Sequence, residues 1–257
     1  MKAFFNSLFM TISMFSILPV PKVDWEKRNM KYMLCFLPLI GILTGIGLFG
    51  FHLLAGLLQI SDILYAVLLT LLPLIISGGI HMDGFLDTVD ALSSHALPEK
   101  KREILKDSHA GAFAVLFCAG YLLLYFGLCM ECERSVTTIY IMGLCATLAR
   151  VIGAFASVAF EKNTQQGLLY SFTSSMAKYS KLCLFVWFFL CITLFGCISI
   201  YLAVSMLFAS LCLLYYMKQM SKIEFEGMSG DLAGYLITLS SLILLIVYII
   251  TEKVVYL

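Results

Sequence analysis

Three aspartates, Asp83, Asp87 and Asp90, lie close together in the segment from Ser77 to Ala91. Their spacing of i, i+4 and i+7 places them on one face of a helix, within an arc of about 60°. Like charges at this spacing destabilise a helix and raise the carboxyl pKa values unless a cation compensates them. Mg²⁺ binds carboxylate oxygens together with substrate phosphate oxygens. The triad therefore predicts a metal site with catalytic carboxylates, and the alternatives are a solvated acidic face or pairing with Lys100 to Lys106.

A second cluster, Lys106 to Gly111, comes just before a long apolar segment. Asp107 or Ser108 suits the N-cap of the helix that begins there, because its side chain can accept a free backbone N–H. A helix N-terminus that opens with serine and glycine also binds anions, with Lys106 as the counter-charge. We predict that Lys106, Ser108 and Gly111 contact a substrate phosphate, and the capping role stays open beside this one.

A third cluster, Glu224 to Gly234, precedes the last apolar segment and contains Ser229, Gly230 and Asp231. Glycine permits close approach of the backbone to a phosphate, so Ser229 and Gly230 are predicted phosphate contacts. Asp231 is predicted to complete the metal site that the triad begins. Such a glycine-rich stretch is also typical of a simple loop, and its significance depends on sharing one membrane surface with the other two clusters.

Arg150 and two histidines are further candidates. Arg150 lies within an apolar segment, where a charge is costly unless it faces the bundle interior or water. We predict that it points inward and pairs with an acid or a substrate phosphate, and snorkelling to the surface is the alternative. His81 and His109 lie beside the acidic clusters, where either could assist proton transfer or serve as a hydrogen-bonding helix end. His81 joins the catalytic candidates.

The composition defines the class of protein that positions these residues. Of the 257 residues, 61% are hydrophobic and 13% are charged, and the mean hydropathy is +0.96. Soluble domains have about 25% charged residues, so this chain has too few to cover a water-soluble surface. A net charge of +1 argues against a nucleic-acid partner, because such binders show a basic excess. The chain is predicted to be an integral membrane protein.

The apolar segments predict an all-α, polytopic transmembrane bundle that forms a single domain over residues 1–257. A span needs about 20 largely uncharged residues. The segments that meet this need are 32–60, 63–80, 112–130, 135–160, 182–217 and 232–251. The fifth is 36 residues long, so we divide it near 196–199, which gives seven spans. The segment 3–18 is shorter, and it is left open whether it spans, re-enters or lies in the interface.

Basic residues indicate which way the chain is threaded. This threading puts segments 19–31, 81–111, 161–181 and 218–231 on one side, and they contain 13 of the 17 lysines and arginines. Cytoplasmic loops carry such an excess. We therefore predict a multi-pass protein of the cell membrane with its acidic clusters at the cytoplasmic face.

Together these motifs resemble the cobalamin synthase family, also called adenosylcobinamide-GDP ribazoletransferases, over nearly the whole chain. The resemblance rests on five stretches: Leu18-Pro19-Val20-Pro21; Leu37-Pro38-Leu39-Ile40-Gly41; Gly78 to Gly84 with Asp87-Thr88 and Asp90; Lys106-Asp107-Ser108 with Gly111; and Ser229-Gly230-Asp231 with Gly234. The chain departs from the family where His109 replaces arginine, Ala91 and Glu226 replace glycine, and Ser229 replaces threonine. The loss of arginine removes a permanent guanidinium contact at position 109.

The resemblance implies a Mg²⁺-dependent transferase of cobalamin biosynthesis. Its substrates would be adenosylcobinamide-GDP and α-ribazole or α-ribazole 5′-phosphate, with release of GMP. Two other classes stay open: a prenyltransferase or CDP-alcohol phosphotransferase, whose spaced aspartate and D-G-x-x-A-R motifs are not found, and a secondary transporter. A homo-oligomer or an association with other enzymes of the pathway also stays open.

Overall fold

Helices dominate this fold because backbone polar groups in hydrocarbon must find their hydrogen bonds within the segment. The computed structural model describes residues 2–107 and 109–255. Within these ranges no strand forms, which confirms the all-α prediction. The helices are α1 (Lys2–Phe15), α2 (Met33–Leu57), α3 (Asp62–Ile76), α4 (Ile80–Ser93), α5 (Pro98–Ile104), α6 (Ala112–Glu131), α7 (Val136–Ala159), α8 (Gly167–Ser174), α9 (Ser180–Ile198), α10 (Ile200–Phe225) and α11 (Gly230–Val255), with a short 3₁₀ helix at Lys27–Asn29.

Six of these helices are long and apolar enough to cross a membrane: α2, α6, α7, α9, α10 and α11. Helix α3 qualifies only together with α4, and the two are bent by 93°, so the total is six or seven spans. The predicted division of residues 182–217 is confirmed, with the break at Ser199. Helix α1 has 14 residues and covers about 21 Å at 1.5 Å per residue, which is too short for about 30 Å of hydrocarbon.

Helix α7 forms the centre of the bundle and packs most extensively against α2, α11 and α9. Small residues let α2 and α7 approach closely: a Cβ on Gly45 would lie 3.0 Å from the Cα of Gly143. Because lipid tails are as apolar as leucine, van der Waals packing of this kind holds membrane helices together. Helices α6 and α9 lie at the periphery, with few of their apolar side chains fully buried.

Ion pairs and loops distinguish the two ends of the bundle. At one end, Arg134 lies 3.2 Å from Asp62 and Lys253 pairs with Glu131. At the other end, α4, α5, α8 and the loops before α6 and α11 surround a cavity. We call this second end the mouth, and all three clusters lie there.

Candidate active site

The turn between α3 and α4 sets the position of the first acidic cluster. Gly78 and Gly79 have φ angles of +64° and +76°, a region that side chains with a Cβ rarely adopt. The chain therefore leaves α3 at a sharp angle, and α4 crosses the mouth at 93° to α3. The predicted helical face is confirmed, since α4 covers Ile80–Ser93 and carries Asp83 and Asp87.

Two glycines bring α4 against the start of α11. A Cβ on Gly84 would lie 2.6 Å from the carbonyl oxygen of Asp231, and a Cβ on Gly234 would lie 3.1 Å from the carbonyl oxygen of His81. The rings of Phe85 and Tyr235 stack beside this contact at 5.5 Å between centroids. Backbone approach at Gly84 therefore brings residues that are about 150 positions apart in the chain into one cluster.

The electrostatics of Asp87 show that the carboxylates interact. Burial first, and then the negative charges of Asp83, Asp231 and Asp90, raise the pKa of Asp87 to about 6. Among the described residues, no ion pair involves Asp83, Asp87 or Asp231. The acids are half-buried or exposed without a compensating protein cation, which is the condition that favours cation binding.

The donor set fits an open Mg²⁺ site and does not form a closed cage. In residues 2–107 and 109–255, no three histidine, cysteine, aspartate or glutamate side chains converge to hold a metal by themselves. Mg²⁺ usually keeps several waters and binds through one or two carboxylates plus substrate phosphates. One or two carboxylates from among Asp83, Asp87 and Asp231 would meet that need, and the metal assignment stays a prediction.

Asp90 has a different role from the other two members of the triad. Its carboxylate accepts the backbone N–H of Gly111 and, at 3.0 Å, that of Ala114. Both N–H groups lie at the beginning of α6, where a helix has no internal partner for them. Asp90 therefore caps α6 from a distance and occupies both carboxylate oxygens in doing so, and we remove it from the proposed metal ligands.

Gly111 does not present a free N–H to a phosphate, because that group is bonded to Asp90. A Cβ at this position would collide with the Asp90 carboxylate. The predicted phosphate role of Gly111 is therefore wrong, and its small size serves the cap. Ser108 lies outside the described residues. The carboxylate of Asp107 accepts a hydrogen bond from the ring nitrogen of His109 at 2.7 Å and another from the backbone N–H of His109 at 3.0 Å. Both bonds lower the pKa of Asp107.

The mouth cavity has a volume of about 710 Å³, within the range typical of ligand sites. Six predicted site residues line it: His81, Asp83, Lys106, Ser229, Gly230 and Asp231. Asp87 is not among the lining residues and stands one helical turn behind Asp83. Ser229 also caps α11, since its hydroxyl accepts the N–H of Leu232 at 3.2 Å.

His81 is buried where the mouth cavity meets a smaller internal cavity, and it lines both. Its ring stacks on Phe15 at 5.7 Å between centroids. Its Nε2 has no hydrogen-bond partner among the described residues. The position allows contact with a ligand, and the proton-transfer role of His81 stays a prediction.

Arg150 points inward, as predicted, but it does not reach the mouth cavity. It is buried, and it lines the smaller cavity with Tyr121 and Tyr125. No acid pairs with it in the part of the chain that the structure describes. The predicted pairing with an acid is therefore wrong within the described residues, and the predicted contact with a substrate phosphate stays a prediction.

The loop between α7 and α8 supplies site residues that the motifs did not indicate. Lys162, Asn163, Thr164 and Gln166 all line the mouth cavity. A parallel bridge joins Lys162 to Met228, which places the loop beside the start of α11. No periodicity or motif marks this stretch in the sequence. Lys162 contributes there only to the basic excess that indicates topology.

Arg102 and Lys101 attach α5 to the end of α10. Arg102 pairs with Glu226 at 2.5 Å, and the buried Lys101 pairs with Glu224. The left-handed backbone of Glu226, with φ of +55°, ends α10 and turns the chain towards Ser229. These two ion pairs thus hold one wall of the cavity in place.

Comparisons with known proteins agree over nearly the whole chain. A family model described as cobalamin-5-phosphate synthase matches residues 7–249. A protein of Lachnoclostridium phytofermentans is 39% identical over 253 residues, which cover 97% of this chain and 95% of the relative. A Clostridium botulinum (strain Alaska E43) protein is 32% identical over 244 residues, which cover 95% of this chain and 96% of the relative. Both relatives are named adenosylcobinamide-GDP ribazoletransferase. No solved structure matches the chain.

Proposed function

This chain belongs to the cobalamin-5-phosphate synthase family, and we propose from that premise that it is an adenosylcobinamide-GDP ribazoletransferase. It joins adenosylcobinamide-GDP to α-ribazole or α-ribazole 5′-phosphate and releases GMP, a late step of cobalamin biosynthesis. The observation that carries the site assignment is the close approach of α4 and α11 at Gly84, which places Asp83 and Asp231 at the wall of a cavity of about 710 Å³ with Asp87 one turn behind.

We propose Mg²⁺ as the cofactor, held by oxygens of Asp83, Asp87 and Asp231. When bound, the ion would neutralise charge on the diphosphate and on the phosphate that leaves with GMP. Support comes from the absence of an ion pair to these acids in the described residues. It also comes from the raised pKa of Asp87, to which burial and then the negative charges of Asp83 and Asp231 contribute.

Cations and backbone donors at the cavity wall would position the diphosphate. Lys106 and Lys162 both line the cavity, and an ammonium group binds phosphate as a point charge. Gly230 is the first residue of α11, where backbone N–H groups point outward and favour anions. Ser229 adds a hydroxyl at the same helix start. Holding both substrates in line is the main contribution that a protein makes to phosphoryl transfer.

The bond changes in this proposal balance without a further reactant. A ribose hydroxyl oxygen of α-ribazole attacks the phosphorus on the corrinoid side of the diphosphate. The new O–P bond forms as the bond from that phosphorus to the oxygen shared with GMP breaks. The hydroxyl proton passes to Asp83 or His81, both of which line the cavity, and the bridging oxygen leaves as part of the GMP phosphate.

The location that we propose is the cell membrane, with the mouth open to the cytoplasm. The support is the excess of lysine and arginine in the four segments on the mouth side, since cytoplasmic loops carry this excess. Nucleotide substrates would enter from the cytoplasm, and the apolar helices around the mouth would contact the corrin ring of an amphipathic substrate.

The experiment follows GMP release from adenosylcobinamide-GDP and α-ribazole by the purified full-length protein, with Mg²⁺ and with a chelator. We expect product only with Mg²⁺. Asp87→Asn should lose most of the activity while still inserting into membranes. The matched control is Asp62→Asn, which removes an acid at the opposite end of the bundle and should keep near-normal turnover.

The outcomes separate the parts of the proposal. Absence of product with the intact protein under any divalent cation would overturn the transferase assignment. Equal product with the chelator would overturn the metal and leave the transferase standing. Near-normal turnover by Asp87→Asn would remove Asp87 from the site.

A further inference from the structure

Arg150 is incompletely satisfied by the protein around it. Only 3% of the residue is exposed. Its Nη1 donates to the carbonyl oxygen of Ala146 at 2.8 Å, and its Nη2 lies 3.5 Å from the hydroxyl of Thr44. Its Nε has no partner among the described residues. Since a guanidinium has five N–H donors and a permanent charge, these contacts leave both donors and charge uncompensated.

The compensating charge does not come from an acid that the structure describes. No carboxylate in residues 2–107 and 109–255 lies within ion-pair distance of Arg150. An isolated buried charge is strongly unfavourable in a low-dielectric interior, so buried charges in proteins are normally paired. Its neighbours here are neutral, and something other than an acid must balance the charge.

Arg150 lines the smaller cavity, which has a volume of about 40 Å³. Tyr121 and Tyr125 line it with their rings stacked at 5.7 Å between centroids. Hydrogen bonds within the described part of the chain engage the hydroxyls of Tyr65, Tyr216, Tyr235 and Tyr248 but not those of Tyr121 and Tyr125. The cavity therefore combines a fixed positive charge with hydroxyl donors that have no protein acceptor.

The volume limits what can bind. The cavity offers about 40 Å³, against about 710 Å³ at the mouth, which is enough to hold a water-sized particle. A bulky substrate that carries the diphosphate needs the larger cavity, so the smaller one suits a small ion. We propose that this cavity binds a monatomic anion, chloride under ordinary conditions, which neutralises Arg150 and accepts hydrogen bonds from its guanidinium and from the tyrosine hydroxyls.

This anion site is separate from the site of transfer. His81 and Ile237 line both cavities and form the wall between them. None of the proposed metal ligands or the lysines at the mouth lines the smaller cavity. The anion would therefore stabilise the packing of α7 against its neighbours, and it takes no part in the bond changes proposed above.

The test compares thermal unfolding of the full-length protein in detergent micelles, in sodium chloride, sodium bromide and sodium gluconate at equal ionic strength. A ligand that binds only the folded state raises Tm as its concentration exceeds its Kd. At about ten times Kd we expect chloride and bromide to raise Tm by about 4 °C relative to gluconate, given a protein of this size.

Variants identify the binding group. Arg150→Met keeps an unbranched side chain without the charge, and we expect its Tm to be the same in chloride and gluconate. Tyr125→Phe keeps the ring and removes one hydroxyl donor, and we expect the Tm difference between chloride and gluconate to become several-fold smaller. This variant tests the site even if Arg150→Met does not fold. The matched control is Arg134→Met, which removes an arginine at the opposite end of the bundle and should keep the full halide shift.

Equal Tm of the intact protein in chloride and gluconate would overturn the proposal, and water would then be the occupant of the cavity. A halide shift that persists unchanged in both Arg150→Met and Tyr125→Phe would also overturn it. A crystal grown in bromide provides a direct measurement, since an anomalous peak beside Arg150 supports the site and the lack of such a peak contradicts it.

Discussion

The substitution Gly84→Ala tests whether the contact between α4 and α11 sets the geometry of the acidic cluster. The added Cβ would lie 2.6 Å from the carbonyl oxygen of Asp231 and 2.9 Å from its Cα, where ordinary contacts begin at 3.4 Å. Both atoms belong to the backbone, so relief requires the helices to separate by about 1 Å, and overpacking of this kind costs about 1–3 kcal/mol. Misplacement by about 1 Å lowers turnover by about 100-fold.

We therefore expect Gly84→Ala to insert into membranes, to lose about 1–3 kcal/mol in free energy of unfolding, and to lose about 100-fold in kcat. Because Asp83 and Asp87 would move away from Asp231, the Mg²⁺ concentration for half-maximal activity should also rise. The assay is the rate of GMP release over a range of Mg²⁺ concentrations, together with thermal unfolding in detergent.

Gly120→Ala is the matched control, because a Cβ at Gly120 meets no atom within 4 Å. Alanine is the better helix former by about 1 kcal/mol, so this variant should be as active as the original protein and no less stable. If Gly84→Ala keeps kcat within about 3-fold and the same Mg²⁺ requirement, the close approach does not set the site geometry, and a displacement of about 1 Å at this contact does not limit turnover.

Three further predictions concern the start of α6 and the cavity wall. Asp90→Ala leaves two backbone N–H groups of α6 without their acceptor, so thermal unfolding should show a loss of about 1–3 kcal/mol; an unchanged Tm would contradict the capping role. Gly111→Ala displaces the same carboxylate, so the double variant Asp90→Ala, Gly111→Ala should be little less stable than either single variant. Additive losses in the free energy of unfolding would mean that the two residues have independent roles. Lys162→Met should raise the KM for adenosylcobinamide-GDP about 10-fold through loss of one phosphate contact, while the Tm stays the same. Steady-state kinetics measure this, and an unchanged KM would remove Lys162 from the site.

Features with local causes could be predicted from the sequence. The helical face of Asp83 and Asp87 follows from residue spacing, and the break at Ser199 follows from the length that one span requires. The inward direction of Arg150 follows from the cost of charge in lipid. Each prediction needs only the residue and its neighbours in the chain.

The remaining features depend on contacts between distant segments. Asp90 lies on the same predicted helical face as Asp87, yet the start of α6 lies against it and donates a hydrogen bond to each of its oxygens. Lys162 reaches the cavity because its loop bridges to Met228. Neither partner is adjacent in sequence, and no periodic pattern encodes the pairing.

The glycines show why a motif can indicate the right site for a different reason. From the sequence, glycines at the mouth are predicted to let the backbone approach a phosphate. In the structure, Gly84 and Gly234 let the backbones of α4 and α11 approach each other. Their lack of side chains brings Asp231 to Asp83 and Asp87, and this proximity contributes to the raised pKa of Asp87. Three carboxylates in one place repel each other, so the packing energy of the α4 and α11 contact must exceed that repulsion until a cation binds. Mg²⁺ should therefore raise the Tm of the intact protein more than that of Asp87→Asn, in which one of the repelling charges is absent.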